Sequence, residues 1–364
     1  MRVHLLFVGN KFIYNKSLQE YVVRQVEQKC DFLSSITYFK ESDNSLFMHL
    51  DRMLSTADKL IVVTTKKKFS TVGKVISTIT ADNQILKDSI LLPSECSVYE
   101  QGSYLLEHKD ACVNVLQMDE SHTLPNILID EFSSKTTIHV FEKKYEDAKQ
   151  ILFPIAKTCD VSIDIVSIID GWIKVNILSN RFGDISRFIG LAKSSLASQV
   201  INTSNIVSYI IEKLSHNNKK VSFAESCTGG LLSYYFTKNN GASNILDGSL
   251  VTYANSIKEN WLAVDEEVLQ EYGAVSVQVV HQMSEGVMNV SEADYTLSIS
   301  GIAGDGGGTV DKPVGTVFIG ARSSSQHKEV HLNLSGDRNY VQYQSVLYSV
   351  KMLLLLDKEL FFEI

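Results

Sequence analysis

The stretch AESCTGGLLSYYF, Ala224–Phe236, sets a carboxylate, two hydroxyls, a thiol and two glycines immediately before a hydrophobic tract. The apolar run VSFA leads into it, so the stretch reads as a strand-to-helix corner. At such a corner Ser226, Cys227 and Thr228 would lie near a helix N-terminus, where unpaired backbone N–H groups and the macrodipole favour negative charge. Gly229 and Gly230 would admit a ligand or another backbone at close range. These features suit an oxyanion or phosphate site, and they equally suit a capped turn with no ligand.

Working outward, residues 201–364 alternate strand and helix patterns, which predicts a compact α/β domain. An amphipathic helix, IVSYIIEKL, precedes VSFA. A strand GSLVTYA, ending at Tyr253, a helix capped by Asn255 or Ser256, the strand YTLSIS, the strand GTVFIGARS and a long helix from about Asp337 follow it. Upstream, VHLLFV and KLIVVTT have the continuous apolar character of buried parallel strands, with helical spacing between them, so residues 1–133 read as an open α/β domain. Residues 134–200 read as a small α+β unit. In it, two alternating segments flank the turn Asp170-Gly171, and the helix YEDAKQILFPIAKTC is expected to be interrupted near Pro154.

Composition narrows the function. The net charge of −8 gives no global field for nucleic acid or an anionic membrane, and Lys66-Lys67-Lys68 reads as a solvated loop. The five cysteines form no CxxC pair, which argues for a reducing compartment and against a zinc site or a disulfide framework. Neither a signal peptide nor a membrane span is legible, so a cytoplasmic location is expected. Of the 20 glycines, 14 lie in the last 164 residues, which places the chemistry in the C-terminal part.

A nucleophilic serine needs a base, and the C-terminal histidines, His216, His281, His327 and His331, sit in no glycine-rich or turn-rich motif. The segment VTYANSIK offers Lys258 in the first turn of a helix, where the dipole would favour the neutral amine, with Tyr253 able to relay a proton or hold the lysine. In SISGIAGDGGGTVDKPVG, Ser298–Gly315, a strand runs from Ser300 into a loop containing Gly301, Gly304 and Gly307, whose N–H groups could form an anion nest. In SGDR, Arg338 opens the last helix and could hold a phosphate.

Together AESCTGG, VTYANSIK, SISGIAGDGGGTVDKPVGTV and SGDR resemble the C-terminal domain of the CinA (competence/damage-inducible) proteins, a nicotinamide mononucleotide deamidase. The resemblance implies Ser226 as nucleophile, Lys258 as general base and Tyr253 as its partner. It also implies that Thr228, Gly229, Gly230, Ser300, Gly301, Gly304, Gly307 and Arg338 face the nucleotide. It implies no cofactor for the deamidase, nicotinamide mononucleotide as the small-molecule partner, no direct nucleic-acid or membrane partner, and a homodimer. The family commonly has proline after GIAG, where this chain has Asp305. The upstream region resembles the family's molybdopterin-binding-like domain followed by a linking domain, but lacks its GGLGPT-type turn and acidic residues. A divalent metal would belong there only if that domain were active, and the resemblance implies a degenerate, structural one. The other readings are a non-catalytic nucleotide-binding or assembly protein and a residual ADP-ribose pyrophosphatase.

Overall fold

A computed structural model describes residues 2–362 apart from 31–32, 57–58, 89, 119–122, 130–134, 181, 197–198, 292 and 305. The chain divides into two compact units, Met1–Phe132 and Ser133–Ile364.

The first unit runs β1 (Val3–Val8), α1 (Asn10–Tyr14), α2 (Lys16–Lys29), β2 (Leu33–Phe39), α3 (Leu46–Leu54), β3 (Lys59–Thr64) and α4 (Lys66–Thr80). Then come β4 (Gln84–Lys87), β5 (Ile90–Pro93), β6 (Cys96–Glu100), β7 (Ser103–His108) and β8 (Ala111–Gln117). Its main sheet has the order β2-β1-β3-β8-β7-β6. β1, β2, β3 and β8 are parallel, while β7 and β6 add antiparallel. Every residue of β1 and β3 is buried, as their unbroken apolar runs require of strands covered on both faces. The antiparallel additions make the sheet mixed, where strand–helix alternation alone predicts a parallel one. Lys66-Lys67-Lys68 opens α4 instead of forming a loop.

The second unit begins with β9 (Lys135–Phe141), α5 (Tyr145–Thr158), β10 (Val161–Ile169), β11 (Trp172–Ser179), α6 (Ile185–Leu196) and β12 (Val200–Asn202). Their sheet has the order β10-β11-β9-β12, with the expected hairpin at Asp170-Gly171. Helix α5 runs through Pro154 without a break. Proline removes one intrahelical hydrogen bond, but Pro154 sits on the solvent side, and Ala148, Leu152 and Ala156 anchor the opposite side in the core. Strand alternation turns Ile173, Val175 and Ile177 toward the α5 and α6 core. It turns Phe141 and Trp172 into a different core, which they share with C-terminal residues such as Phe362. Strand β12 was not foreseen, and it begins at Val200.

The chain continues α7 (Ile206–His216), β13 (Val221–Glu225), α8 (Leu231–Thr237), β14 (Leu246–Val251), α9 (Asn255–Leu262), α10 (Glu266–Tyr272) and α11 (Val277–Ser291). It ends β15 (Tyr295–Gly301), β16 (Thr316–Ser323), β17 (His327–Asn333), α12 (Arg338–Leu356) and α13 (Lys358–Phe361). The sheet order is β14-β13-β15-β16-β17, parallel among the first three strands and antiparallel beyond. Phe223, Leu297 and Ile299 pack against α7, α8 and α12. On the other face Ala224 packs with α9, α10 and α11. That face is also lined by small groups that let α11 approach closely. The Ser298 hydroxyl donates to the Val280 carbonyl at 2.6 Å and the Thr296 hydroxyl to the Ser284 carbonyl at 2.8 Å.

This arrangement fixes where a site can form. The crossover from β13 to β14 passes through α8 on one face, and the crossover from β14 to β15 passes through α9–α11 on the other. The two connections leave a crevice at the C-terminal end of β13, the topological switch point where ligands of open α/β sheets bind. Ser226 is the first residue beyond that end.

Candidate active site

Ser226 follows β13 directly, and its backbone N–H donates to the Ile299 carbonyl at 2.9 Å, which ties the corner to β15. Gly229 and Gly230 then turn the chain into α8 with φ values of 59° and 98°, a region open to glycine at little cost.

The helix N-terminus created by this turn is already occupied. Glu225 is completely buried, and its Oε2 accepts from the Thr228 hydroxyl at 2.8 Å and from the N–H groups of Gly230 and Leu232, each at 3.0 Å. Its Oε1 accepts from the Ser233 N–H at 2.9 Å and from the Ser249 hydroxyl at 3.2 Å. A protein carboxylate therefore holds the positive end of α8, where the sequence suggests a ligand anion. Thr228 and Gly230, expected to face a nucleotide, instead donate to this internal cap, and neither they nor Gly229 line the neighbouring cleft.

That cleft has a volume of about 230 Å³ and brings together Ser226, Tyr253, Lys258, Ser300, Gly301, Gly304, Gly307 and Arg338. Lys258 is buried in the first turn of α9. Its Nζ donates to the carbonyls of Thr252 at 2.7 Å and Tyr253 at 3.2 Å, and lies 3.1 Å from the Ser226 Oγ. No carboxylate pairs with it among the described residues. Burial holds its pKa below the ordinary 10.5, opposed weakly by Cys227. Desolvation is thus the main cause, where the helix position alone suggests the macrodipole.

Neighbouring expectations need correction. β14 ends at Val251, so Tyr253 lies beyond the strand, and α9 is preceded by Ala254 with no side-chain cap. The Tyr253 ring stands at the mouth of the cleft, 64% exposed, and only its backbone carbonyl bonds Lys258. Cys227 is buried against the core, and burial pushes its thiol up to about 12.

The Ser300 hydroxyl donates to the Ala274 carbonyl at 2.7 Å. It thereby pins the segment Ala274–Val275, which forms a further wall of the cleft and carries no recognisable sequence signal. Arg338 is the first residue of α12, behind the Asp337 cap, whose side chain accepts from the Tyr340 N–H at 2.8 Å. Its guanidinium crosses Gly304 so closely that a β-carbon there would lie 2.4 Å from Nε and Nη2. Gly304 is needed for that approach. Asp305 lies outside the described residues.

Among the described residues, one group of three metal-competent side chains occurs, His281, His327 and Glu329. It lies toward the opposite end of the sheet, since His327 pairs with Arg322 and Arg322 with Thr296. Arg322 Nη2 is 2.9 Å from His281 Nε2, which must accept, so Nδ1 carries the proton donated to Glu329 at 2.7 Å. These groups satisfy one another as a hydrogen-bonded network.

Residues 203–356 match the family model described as the CinA C-terminal domain. A nicotinamide-nucleotide amidohydrolase, PncC, from Enterobacter agglomerans is 45% identical over 132 residues, covering 36% of this chain and 80% of that protein. A CinA-like protein from Thermotoga neapolitana is 42% identical over 153 residues, covering 42% of this chain and 37% of that protein. A crystal structure of competence/damage inducible protein CihA from Agrobacterium tumefaciens shares 34% identity, covering 42% of this chain and 93% of that chain, with a TM-score of 0.41. The chain belongs to the CinA family. The match spans little more than a third of the CinA-like relatives' length. Among the described residues, no helix is long and apolar enough to cross a membrane.

Proposed function

We propose that the C-terminal part hydrolyses the carboxamide of nicotinamide mononucleotide to nicotinate mononucleotide and ammonia, through Ser226 and Lys258. The observation that carries this reading is the buried Lys258 amine, 3.1 Å from the Ser226 Oγ with two carbonyls as its other neighbours. A neutral amine so placed gives its two protons to the carbonyls and keeps its lone pair for the serine proton.

Ser226 Oγ attacks the carboxamide carbon as its proton passes to Lys258 Nζ. In this mechanism the backbone N–H of Cys227, a residue that lines the cleft, would face the tetrahedral oxyanion. Collapse of the intermediate needs a proton on the departing nitrogen, which the lysine ammonium returns. Ammonia leaves and an acyl-enzyme remains, and water activated by the same amine releases the acid. Arg338 and the loop around Gly304 and Gly307 provide the positive charge and open backbone for the substrate's phosphate. None of these steps calls on a metal. The name of the PncC relative supports the substrate class.

Ammonia release from nicotinamide mononucleotide by purified protein, with chelator present, tests the reading. Release is expected from the native chain and should be lost in Ser226→Ala, with thermal melting unchanged. Native-like release from Ser226→Ala would sink the mechanism, and no release from folded native protein would sink the activity.

A further inference from the structure

Consecutive peptide planes at the Ser226 corner are each held by a hydrogen bond. The plane joining Glu225 to Ser226 is held through the Ser226 N–H, which donates to the Ile299 carbonyl at 2.9 Å. The next plane carries the Ser226 carbonyl, which accepts from the Gly229 N–H at 3.1 Å and closes a four-residue turn. The plane joining Cys227 to Thr228 is the central peptide of that turn, which the turn's own hydrogen bond leaves free to rock. Its Cys227 carbonyl accepts from the side-chain amide of Gln342 at 2.6 Å. A carbonyl can only accept, so the NH₂ group of Gln342 must be the one that faces it.

This donor stands on a rigid element. Gln342 lies one turn beyond Arg338 on α12, and helical spacing sets both on one side of the helix, Arg338 at the cleft and Gln342 at the corner. Val341, Ser345 and Val346 are completely buried, and Val341 and Val346 share their core with Cys227. Gln342 is half-buried, and it does not line the cleft.

We propose that Gln342 is a positioning residue for the nucleophile. By holding the central peptide of the turn, it keeps Ser226 Oγ toward Lys258 Nζ and the Cys227 N–H toward the oxyanion. The inference rests on the amidase reading. The Ser226 carbonyl and the Cys227 N–H belong to one rigid plane. A turn that rocks at its centre loosens the Gly229–Ser226 bond and with it the direction of that N–H. Misplacing reacting groups by about 1 Å can cost about 100-fold in rate. The Arg338 contact is left in place, so the loss falls on kcat.

Gln342→Met keeps the length of the side chain and removes the donor. Gln342→Glu is nearly isosteric and sets a carboxylate against the carbonyl at neutral pH, so it carries the test where the methionine variant melts early. Each is compared with the native chain by ammonia release from nicotinamide mononucleotide, by the rate at which a fluorophosphonate labels Ser226, and by thermal melting. In the labelling, Ser226 Oγ attacks phosphorus, its proton passes to Lys258, fluoride leaves, and the phosphoryl oxygen takes the oxyanion position. The expected result is kcat lowered about 10- to 100-fold with KM within about threefold, labelling slowed in parallel, and melting close to native. Rates of both reactions within about twofold of native would overturn the proposal, as would a rise in KM alone or slow turnover with native labelling. Labelling also separates this inference from the amidase reading. A native chain that labels but releases no ammonia refutes the substrate alone, and slower labelling in the variants still supports Gln342. A native chain that does neither overturns both.

Discussion

Replacing Glu225 by glutamine keeps the side chain's shape while removing its charge and one acceptor. In the native corner Oε2 accepts from Thr228, Gly230 and Leu232, and Oε1 from Ser233 and Ser249. A glutamine oxygen can take the three-donor position, which turns its NH₂ group toward the Ser233 N–H. The Ser249 hydroxyl can rotate to accept, but a backbone N–H cannot, so one buried donor faces another at a cost of about 1–3 kcal/mol. Losing the negative charge at the start of α8 adds about 0.3–2 kcal/mol. A combined local cost of about 1.3–5 kcal/mol corresponds to opening of the turn that is about 10-fold to several thousand-fold more frequent. Hydrogen exchange of the segment 225–237 in the full chain reads that opening directly. Thr228→Val, which removes one hydroxyl donor, should cost about 1 kcal/mol, or about fivefold. Exchange in Glu225→Gln within about threefold of native would refute the carboxylate's role as the helix cap.

Because burial lowers the Lys258 pKa, kcat/KM is expected to rise with pH to a plateau through an apparent pKa below 10.5, and Lys258→Met should abolish turnover. Between the lowered folded value and 10.5 the unfolded chain binds the extra proton, so stability rises with pH across that window, and the methionine variant should remove that slope. Gly304→Ala would force the Arg338 guanidinium away and should raise KM in step with Arg338→Ala, with little change in melting; an unchanged KM would count against Arg338 as an anion contact. In Gly286→Ala the new methyl would lie 2.0 Å from the Leu262 carbonyl, so α11 and α9 must separate. That overpacking should cost about 1–3 kcal/mol or more by urea denaturation and should disturb Lys258, which α9 carries.

Local pattern carried much of this architecture into view. VSFA, YTLSIS and VHLLFV are strands because their apolar runs are too short and continuous for surface helices, and Asp170-Gly171 turns a hairpin as its flanking alternation demands. Ser226, Lys258, Ser300 and Arg338, which lie in four separate motifs, line one crevice. What escaped depends on contacts distant in sequence or on a face that no local pattern records. β17 (HKEVHLN) reads as a polar stretch because it is an edge strand with much of its surface in solvent. Pro154 looked like a break because periodicity does not say which side of a helix meets water. The Glu225 cap was hidden most thoroughly. In sequence it is one acid beside the nucleophile, and only the fold aims its carboxylate back into α8. Thr228 and Gly230 were therefore assigned to a ligand when their partner is the preceding strand.

Cys227, next to the nucleophile, has a consequence for how the protein meets oxidants and electrophiles. Sulfur reacts with peroxides and alkylating agents as the thiolate, and a thiol pushed up to about 12 by burial in an apolar core supplies almost none at neutral pH. A corner that seems in sequence to offer two rival nucleophiles is thus chemically single, and reagents that silence thiol enzymes should leave it untouched.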